Sequence, residues 1–183
     1  YYTLNLIRSL LKVASADDFV IFQSRKDAEP LGAGRNVRRY PLWTPPHHPL
    51  EQYTLPLELM QCKLDILHST DFIPPYARRC RSVITVHDLA FLIYPDLVTP
   101  ESRRYYGGVQ RAVASADGII AVSEATKSDM VSLLGVPSER IEVIHHGIDE
   151  AFQPLNTEVI SRYRQQQGLP EQFILWVGNI EPR

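Results

Sequence analysis

The chain has 183 residues, 44% of them hydrophobic and 22% charged, which is enough to bury the core of one ordinary domain. Its formal charge of -2 excludes a sequence-independent nucleic-acid binder, which needs a strongly basic face. Two cysteines, Cys62 and Cys80, without C-x-x-C spacing exclude a disulfide scaffold, and no apolar run approaches the roughly 20 residues that span a bilayer. The expectation is a protein of a reducing, cytoplasmic compartment, with the basic pairs Arg38-Arg39, Arg78-Arg79 and Arg103-Arg104 read as solvated surface.

Leu4, Ile7, Leu11 and Ala14 recur at helical spacing, widened by Leu6, Leu10 and Val13, and predict a helix over 1–14 with a broad buried face. A short strand follows at Phe19 to Phe22. Gly32-Ala33-Gly34 lacks the third glycine of a dinucleotide fingerprint and is read as a flexible loop. Val37 to Trp43 is a strand candidate that runs into a Pro-rich stretch. There His47 and His48 have no carboxylate or Cys at ligand spacing, so a surface loop is preferred to a metal site. Leu50 to Leu64 is weakly helical despite Pro56, and Asp65 to His68 reads as a core strand.

The stretch from Arg81 to Asp96 organises the rest. Val83, Ile84 and Val86 are a β-branched run without Gly or Pro, which reads as a buried parallel strand. In an open α/β sheet the ligand crevice lies past the carboxyl ends of the strands, and His87 and Asp88 stand there. The apolar run Leu89-Ala90-Phe91-Leu92-Ile93-Tyr94-Pro95 is expected to fold back on the core, with a cleft wall or a patch for a lipid-linked partner as the other reading.

Thr99-Pro100-Glu101 is a helix start, and that helix is expected to run through Gly107-Gly108 with close packing there. Ile119 to Val122 is the next buried strand, and Ser123 caps a helix with Glu124 in its first turn. Ile141 to Ile144 is a further strand, ending at His145-His146-Gly147-Ile148-Asp149. Asn156 or Thr157 starts a helix that Gly168 ends, and Phe173 to Val177 is expected as a last strand before Gly178-Asn179. Short apolar strands alternating with capped helices predict an α/β fold with a doubly wound, mainly parallel sheet. The sequence opens in a helical pattern without Met and stops just after a strand pattern, which predicts a piece of a longer protein.

Three strand ends therefore carry polar residues. The ordered set V-I-T-V-H-D-L, A-D-G-I-I-A-V-S-E-A-T-K, I-E-V-I-H-H-G-I-D-E-A-F-Q-P and I-L-W-V-G-N-I-E-P-R, over Ser82 to Arg183, resembles the N-terminal half of family-4 glycosyltransferases of GT-B fold. The resemblance implies a retaining glycosyltransferase built from two Rossmann-like domains. It moves a mannosyl-, glucosyl- or rhamnosyl-type sugar from a nucleotide-sugar donor to a glycan, lipid-linked or small-molecule acceptor. Residues 1–170 would be the acceptor-side domain and 171–183 the start of the donor-binding one, with the piece inactive alone.

By the same resemblance His87 faces the donor sugar and the reacting centre. Asp88, Ser123, Glu124, His146, Gly147 and Asp149 border the cleft, and Gly178, Asn179 and Arg183 lie by the donor phosphates. It implies no metal and no cofactor, the nucleotide sugar being a substrate. No nucleic-acid partner is expected, and peripheral contact with the inner membrane face stays open. A sugar-nucleotide epimerase of the same architecture and a non-catalytic sugar- or partner-binding module stay open too. A nicotinamide enzyme is disfavoured by the missing fingerprint.

Overall fold

Short, mostly apolar runs have produced strands that pair only in parallel among the described residues. The computed structural model describes residues 1–178, which divide into two compact units, Tyr1–His145 and His146 onward. In chain order the first unit holds α1 (Tyr2–Val13), β1 (Phe19–Ser24), β2 (Val37–Leu42), α2 (Glu51–Leu59), β3 (Ile66–Ser69) and β4 (Arg81–Val86). It continues with α3 (Ala90–Ile93), α4 (Pro100–Tyr106), α5 (Val109–Ser115), β5 (Gly118–Ala121), α6 (Glu124–Leu134) and β6 (Ile141–Val143). β1 and β2 form one small sheet, and β3-β4-β5-β6 form a second in that order.

β4 and β5 are the middle of the larger sheet, in register from Val83 opposite Gly118 to Val86 opposite Ala121. Ile84, Val86 and Ala121 are fully buried, and Leu89, Val113 and Met130 close over them. Each of these side chains larger than alanine contributes about 1.5–3 kcal/mol on leaving water. The entry to this pair is locked from both sides: Ser82 N donates to Asp117 Oδ2 at 2.8 Å, and Asp117 N donates to Ser82 O at 2.9 Å.

The local helix signals act as the sequence implies. Thr99 and Ser123 accept hydrogen bonds from Ser102 N (3.2 Å) and Thr126 N (3.1 Å), satisfying amides that the first turn leaves without a partner. Gly135 ends α6 in the left-handed conformation at φ 66°.

Long-range packing corrects several expectations. α1 has no fully buried residue, and Val13 is exposed, because the helix packs along one side only. Gly32 belongs to that packing rather than to a flexible loop: a Cβ there would stand 2.8 Å from Leu11 Cδ1 and 3.1 Å from Ile7 Cγ2. The helix expected to run through Gly107-Gly108 breaks there into α4 and α5, since two adjacent residues without side chains give little helix propensity. The expected close approach is real, a Cβ at Gly108 falling 3.1 Å from Tyr76 Oη. The apolar run after His87 divides. Leu89 is buried and Phe91 stacks on Tyr106 at 4.6 Å, while Leu92, Ile93, Tyr94 and Leu97 are exposed.

One arginine of each basic pair is also not free surface. Arg39 donates to Ser24 O and Asp27 O, Arg78 to Pro75 O and Ser115 O, and Arg103 to Pro95 O. Arg140 adds bonds to Val113 O and Ala116 O, so the carboxyl end of α5 is held by two guanidinium groups.

In the second unit, Asp149 Oδ1 accepts from Ala151 N at 2.9 Å and forms a turn. The helix α7 (Thr157–Gln167) follows, capped by Asn156 and ended by Gly168 at φ 62°. Phe173 to Val177, expected as a strand, has no strand partner among the described residues and is exposed. An apolar run becomes a strand only where another edge takes its backbone groups.

Candidate functional site

Because β3 to β6 are parallel, their carboxyl ends share one edge, and the corners that follow β4, β5 and β6 open there. His87 and Asp88 leave β4, Ser123 and Glu124 leave β5 into α6, and His145 leaves β6. Two side-chain bonds tie these corners together. Thr126 Oγ1, on the first turn of α6, donates to His87 O at 3.2 Å, and His145 Nδ1 donates to Val122 O at 3.2 Å.

The His87 ring is held by parts of the chain far away in sequence. Its Nε2 lies 2.9 Å from Thr70 O, and since a carbonyl only accepts, Nε2 is the donor of this bond. Tyr2 meets the imidazole edge-on, with centroids 4.8 Å apart. Thr70 is itself fixed by Thr3 Oγ1 at 3.1 Å. Beneath them Thr85 Oγ1, fully buried, lies 2.9 Å from His68 Nε2 and 3.3 Å from Tyr2 Oη. Burial lowers the His68 pKa below its ordinary value, keeping that imidazole neutral.

Tyr2, Thr3, His68, Thr70 and Thr85 were not singled out from the sequence, and neither was His145. The available signal was faint: Thr85 and His87 are two apart and so share a face of the β4 path. The contact between residues 2 and 85 has no local signature.

The other candidates are placed as follows. Asp88 is exposed and shapes its own corner, Oδ1 accepting from Ala90 N at 2.9 Å. The Ser123 hydroxyl serves as the α6 cap and also meets Thr126 Oγ1 at 3.0 Å, and Glu124 is exposed in that helix's first turn. His146, Gly147 and Asp149 belong to the second unit, where Asp149 builds the turn already described. Gly178 is there too, at φ 151°, a backbone conformation that favours glycine. Asn179 and Arg183 lie outside the described residues.

Beside Thr70 is a group of acids and aromatics. His47, at φ 60° with a non-glycine side chain, lies against Tyr105 with the rings tilted by 37° and their centroids 4.0 Å apart. Burial raises the Glu51 carboxyl above its usual range, against a lowering by its hydrogen bond to the His47 backbone. Burial also raises the Tyr105 phenol well above its ordinary value, helped by the charges of Asp71 and Glu51. Among the described residues no three His, Cys, Asp or Glu side chains are grouped so as to hold a metal ion.

This arrangement is an oriented imidazole at the carboxyl edge of a parallel sheet, with a capped helix opening beside it. The family model for Glycosyltransferase Family 4 matches residues 1–152. The chain belongs to glycosyltransferase family 4. Among its relatives, the O-antigen chain mannosyltransferase B of Escherichia coli is 23% identical over the whole of this chain and 52% of its own length. A serotype-specific mannosyltransferase WbdA of Escherichia coli is 29% identical over 56% of this chain and 13% of that protein. The D-inositol 3-phosphate glycosyltransferase of Mycolicibacterium smegmatis is 32% identical over 55% of this chain and 24% of its own.

The crystal structure of a glycosyltransferase from Rickettsia africae ESF-5 superposes with a TM-score of 0.51 at 14% identity, covering 92% of this chain and 45% of that one. That likeness shows the fold, a GT-B-like, Rossmann-type α/β arrangement. This family-4 chain thus spans about half the length of the mannosyltransferase that it matches throughout.

Proposed function

We propose that this chain is the acceptor-side part of a retaining glycosyltransferase that moves a hexosyl group from a nucleotide sugar to a glycan or lipid-linked acceptor. The observation that carries the reading is the His87 imidazole, oriented by Thr70 O and Tyr2 at the edge where β4, β5 and β6 end. Family membership and the mannosyltransferase relatives support it.

In the reaction the bond between the anomeric carbon and the donor phosphate oxygen breaks, and a bond from the acceptor oxygen to that carbon forms. The acceptor hydroxyl proton leaves with the diphosphate or its solvent. Positive charge grows on the sugar and negative charge on the leaving group, so the protein's work is positioning and charge stabilisation. His87 orients and polarises the donor sugar or its phosphate rather than attacking it. Asp88 and Ser123 shape the two corners, Glu124 is structural, and no metal takes part.

The test uses the full-length enzyme with labelled nucleotide sugars bearing mannose, glucose or rhamnose. His87→Ala is expected to lower kcat by at least about 100-fold while the melting temperature holds, as for loss of a group that stabilises transition-state charge. Turnover unchanged in the folded variant removes His87 from the reaction. Nuclear magnetic resonance of the product is expected to show the donor's anomeric configuration retained. Product formed without any acceptor favours an epimerase instead.

A further inference from the structure

An imidazole at the end of a strand has two torsions to settle, and one hydrogen bond fixes the direction of a single N–H. The bond from His87 Nε2 to Thr70 O therefore leaves the ring able to turn about that axis. A second restraint comes from Tyr2, whose ring stands nearly perpendicular to the imidazole, at 84° with centroids 4.8 Å apart. Perpendicular pairs are a favoured aromatic geometry, set by the charge distribution of the two rings.

Tyr2 is in turn fixed at its far end. Its Oη lies 3.3 Å from Thr85 Oγ1, and Thr85, fully buried, has that same oxygen 2.9 Å from His68 Nε2. A hydroxyl has one proton and two lone pairs, so Thr85 serves both neighbours at once. Thr85 and His87 stand two apart along the β4 path and so share a side of it, which lets one tyrosine touch both. Burial keeps the His68 imidazole neutral, so this brace orients by contact and hydrogen bonding rather than by a charge placed near the reaction.

The next residue adds a separate hold. Thr3 Oγ1 donates to Thr70 Oγ1 at 3.1 Å, on the residue whose carbonyl receives the His87 proton. Two adjacent residues in the first turn of α1 thus restrain one imidazole by independent routes, one through its ring plane and one through its hydrogen-bond acceptor.

We propose that Tyr2 is a positioning residue for sugar transfer: braced by Thr85 and His68, it sets the plane of the His87 ring and acts through that ring rather than on the sugar. The proposal rests on the role given to His87 above. A group that polarises a reacting centre must be held close to its productive geometry by side chains that are themselves locked, and a misplacement of about 1 Å costs about 100-fold in rate.

The experiment uses the full-length enzyme with Tyr2→Phe, Tyr2→Leu, His87→Ala and the double variant of the last two, each checked for folding by circular dichroism and melting temperature. Tyr2→Leu is expected to lower kcat about 10- to 100-fold with the donor KM held within about twofold. Tyr2→Phe keeps the ring and loses only the hydroxyl, so it is expected to restore most of the activity, at a cost of about threefold. In the His87→Ala background Tyr2→Leu is expected to cost nothing further, because a residue that acts through the imidazole has no effect once the imidazole is gone. Losses that multiply would assign Tyr2 to the fold or to direct substrate contact and overturn the proposal.

The ring itself gives a readout that needs no turnover. In protein with 15N-labelled histidine, the His87 ring signals, identified by their absence from His87→Ala, are expected to shift or broaden in Tyr2→Leu while those of His145 hold. Thr85→Val, which removes the hydroxyl that anchors Tyr2 and keeps the side-chain shape, is expected to move them the same way. His87 signals unchanged in both variants overturn the proposal. Full activity in Tyr2→Leu with His87→Ala impaired overturns it alone and leaves the imidazole's role standing, whereas full activity in His87→Ala removes that role and the proposal with it.

Discussion

Two apolar runs that look alike in sequence end in opposite conditions. Ser82 to Val86 and Phe173 to Val177 are both short, rich in large apolar residues and free of Gly and Pro. The first is β4, paired on both edges, with Ile84 at 0% exposure; in the second, Ile174 is at 100%. The difference lies in the neighbours, since β4 finds β3 and β5 on its edges and α5 and α6 residues over its side chains. Composition sets what a segment can do, and partners decide whether it does it.

The largest test of that contrast is to truncate the same side chain in both. Ile84→Ala is expected to cost about 2–5 kcal/mol in urea unfolding, because the space it leaves is lined by a close-packed core. Ile174→Ala is expected to change stability by less than about 0.5 kcal/mol, as at other exposed positions. Equal losses would mean that residues 173–177 are packed in solution.

A smaller effect is expected from Asp117→Ala, which strips the buried Ser82 N of its acceptor where β4 and β5 begin. The loss is about 1–3 kcal/mol, the cost of an unsatisfied buried donor, and hydrogen exchange at Ser82 and Val83 accelerates with it. A loss confined to α6 would show that the lock does not hold the strands.

The smallest effect is on the pH dependence of stability. In the unfolded chain the His68 imidazole takes its proton near 6.5, while in the folded chain burial defers that to lower pH. The unfolded state therefore binds more protons over that window. Stability is fully present above about 6.5 and falls as the pH drops below it towards the lowered folded value. Glu51 acts in the opposite sense, because its raised pKa makes the folded state take up a proton first on acidification. The difference between the wild type and His68→Gln isolates the imidazole: the variant's melting temperature is expected to decline less from pH 7 to pH 5. Parallel curves would mean that His68 titrates alike in both states.

What could be read beforehand follows the same division. The Thr99, Ser123 and Asn156 caps were legible because a cap is settled within three residues. β4, β5 and β6 were legible from β-branched runs bounded by polar corners. Local grammar could also place His87, Asp88 and Ser123 at strand ends. It could not show that Thr70 O and Tyr2 hold the His87 ring, because those contacts span 17 and 85 residues of chain.

For the same reason Gly32 looked like loop and is packing, and Leu50, Tyr53, Leu57 and Met60, in and beside α2, looked like an ordinary weak helix and stand exposed. A 3.6-residue period reports an apolar face and is silent on whether anything covers it. The arginine pairs failed in a related way. Long side chains that reach backbone carbonyls leave no mark in the sequence around them.

Arg78 and Arg140 bind the last turn of α5 through carbonyl oxygens alone, which have no ionised form to lose across the accessible range. Acid that discharges the carboxylates, or brine that shields them, therefore leaves this clasp almost untouched. When the rest of the domain loosens in such conditions, α5 and the two loops fastened to it should be the last piece to let go.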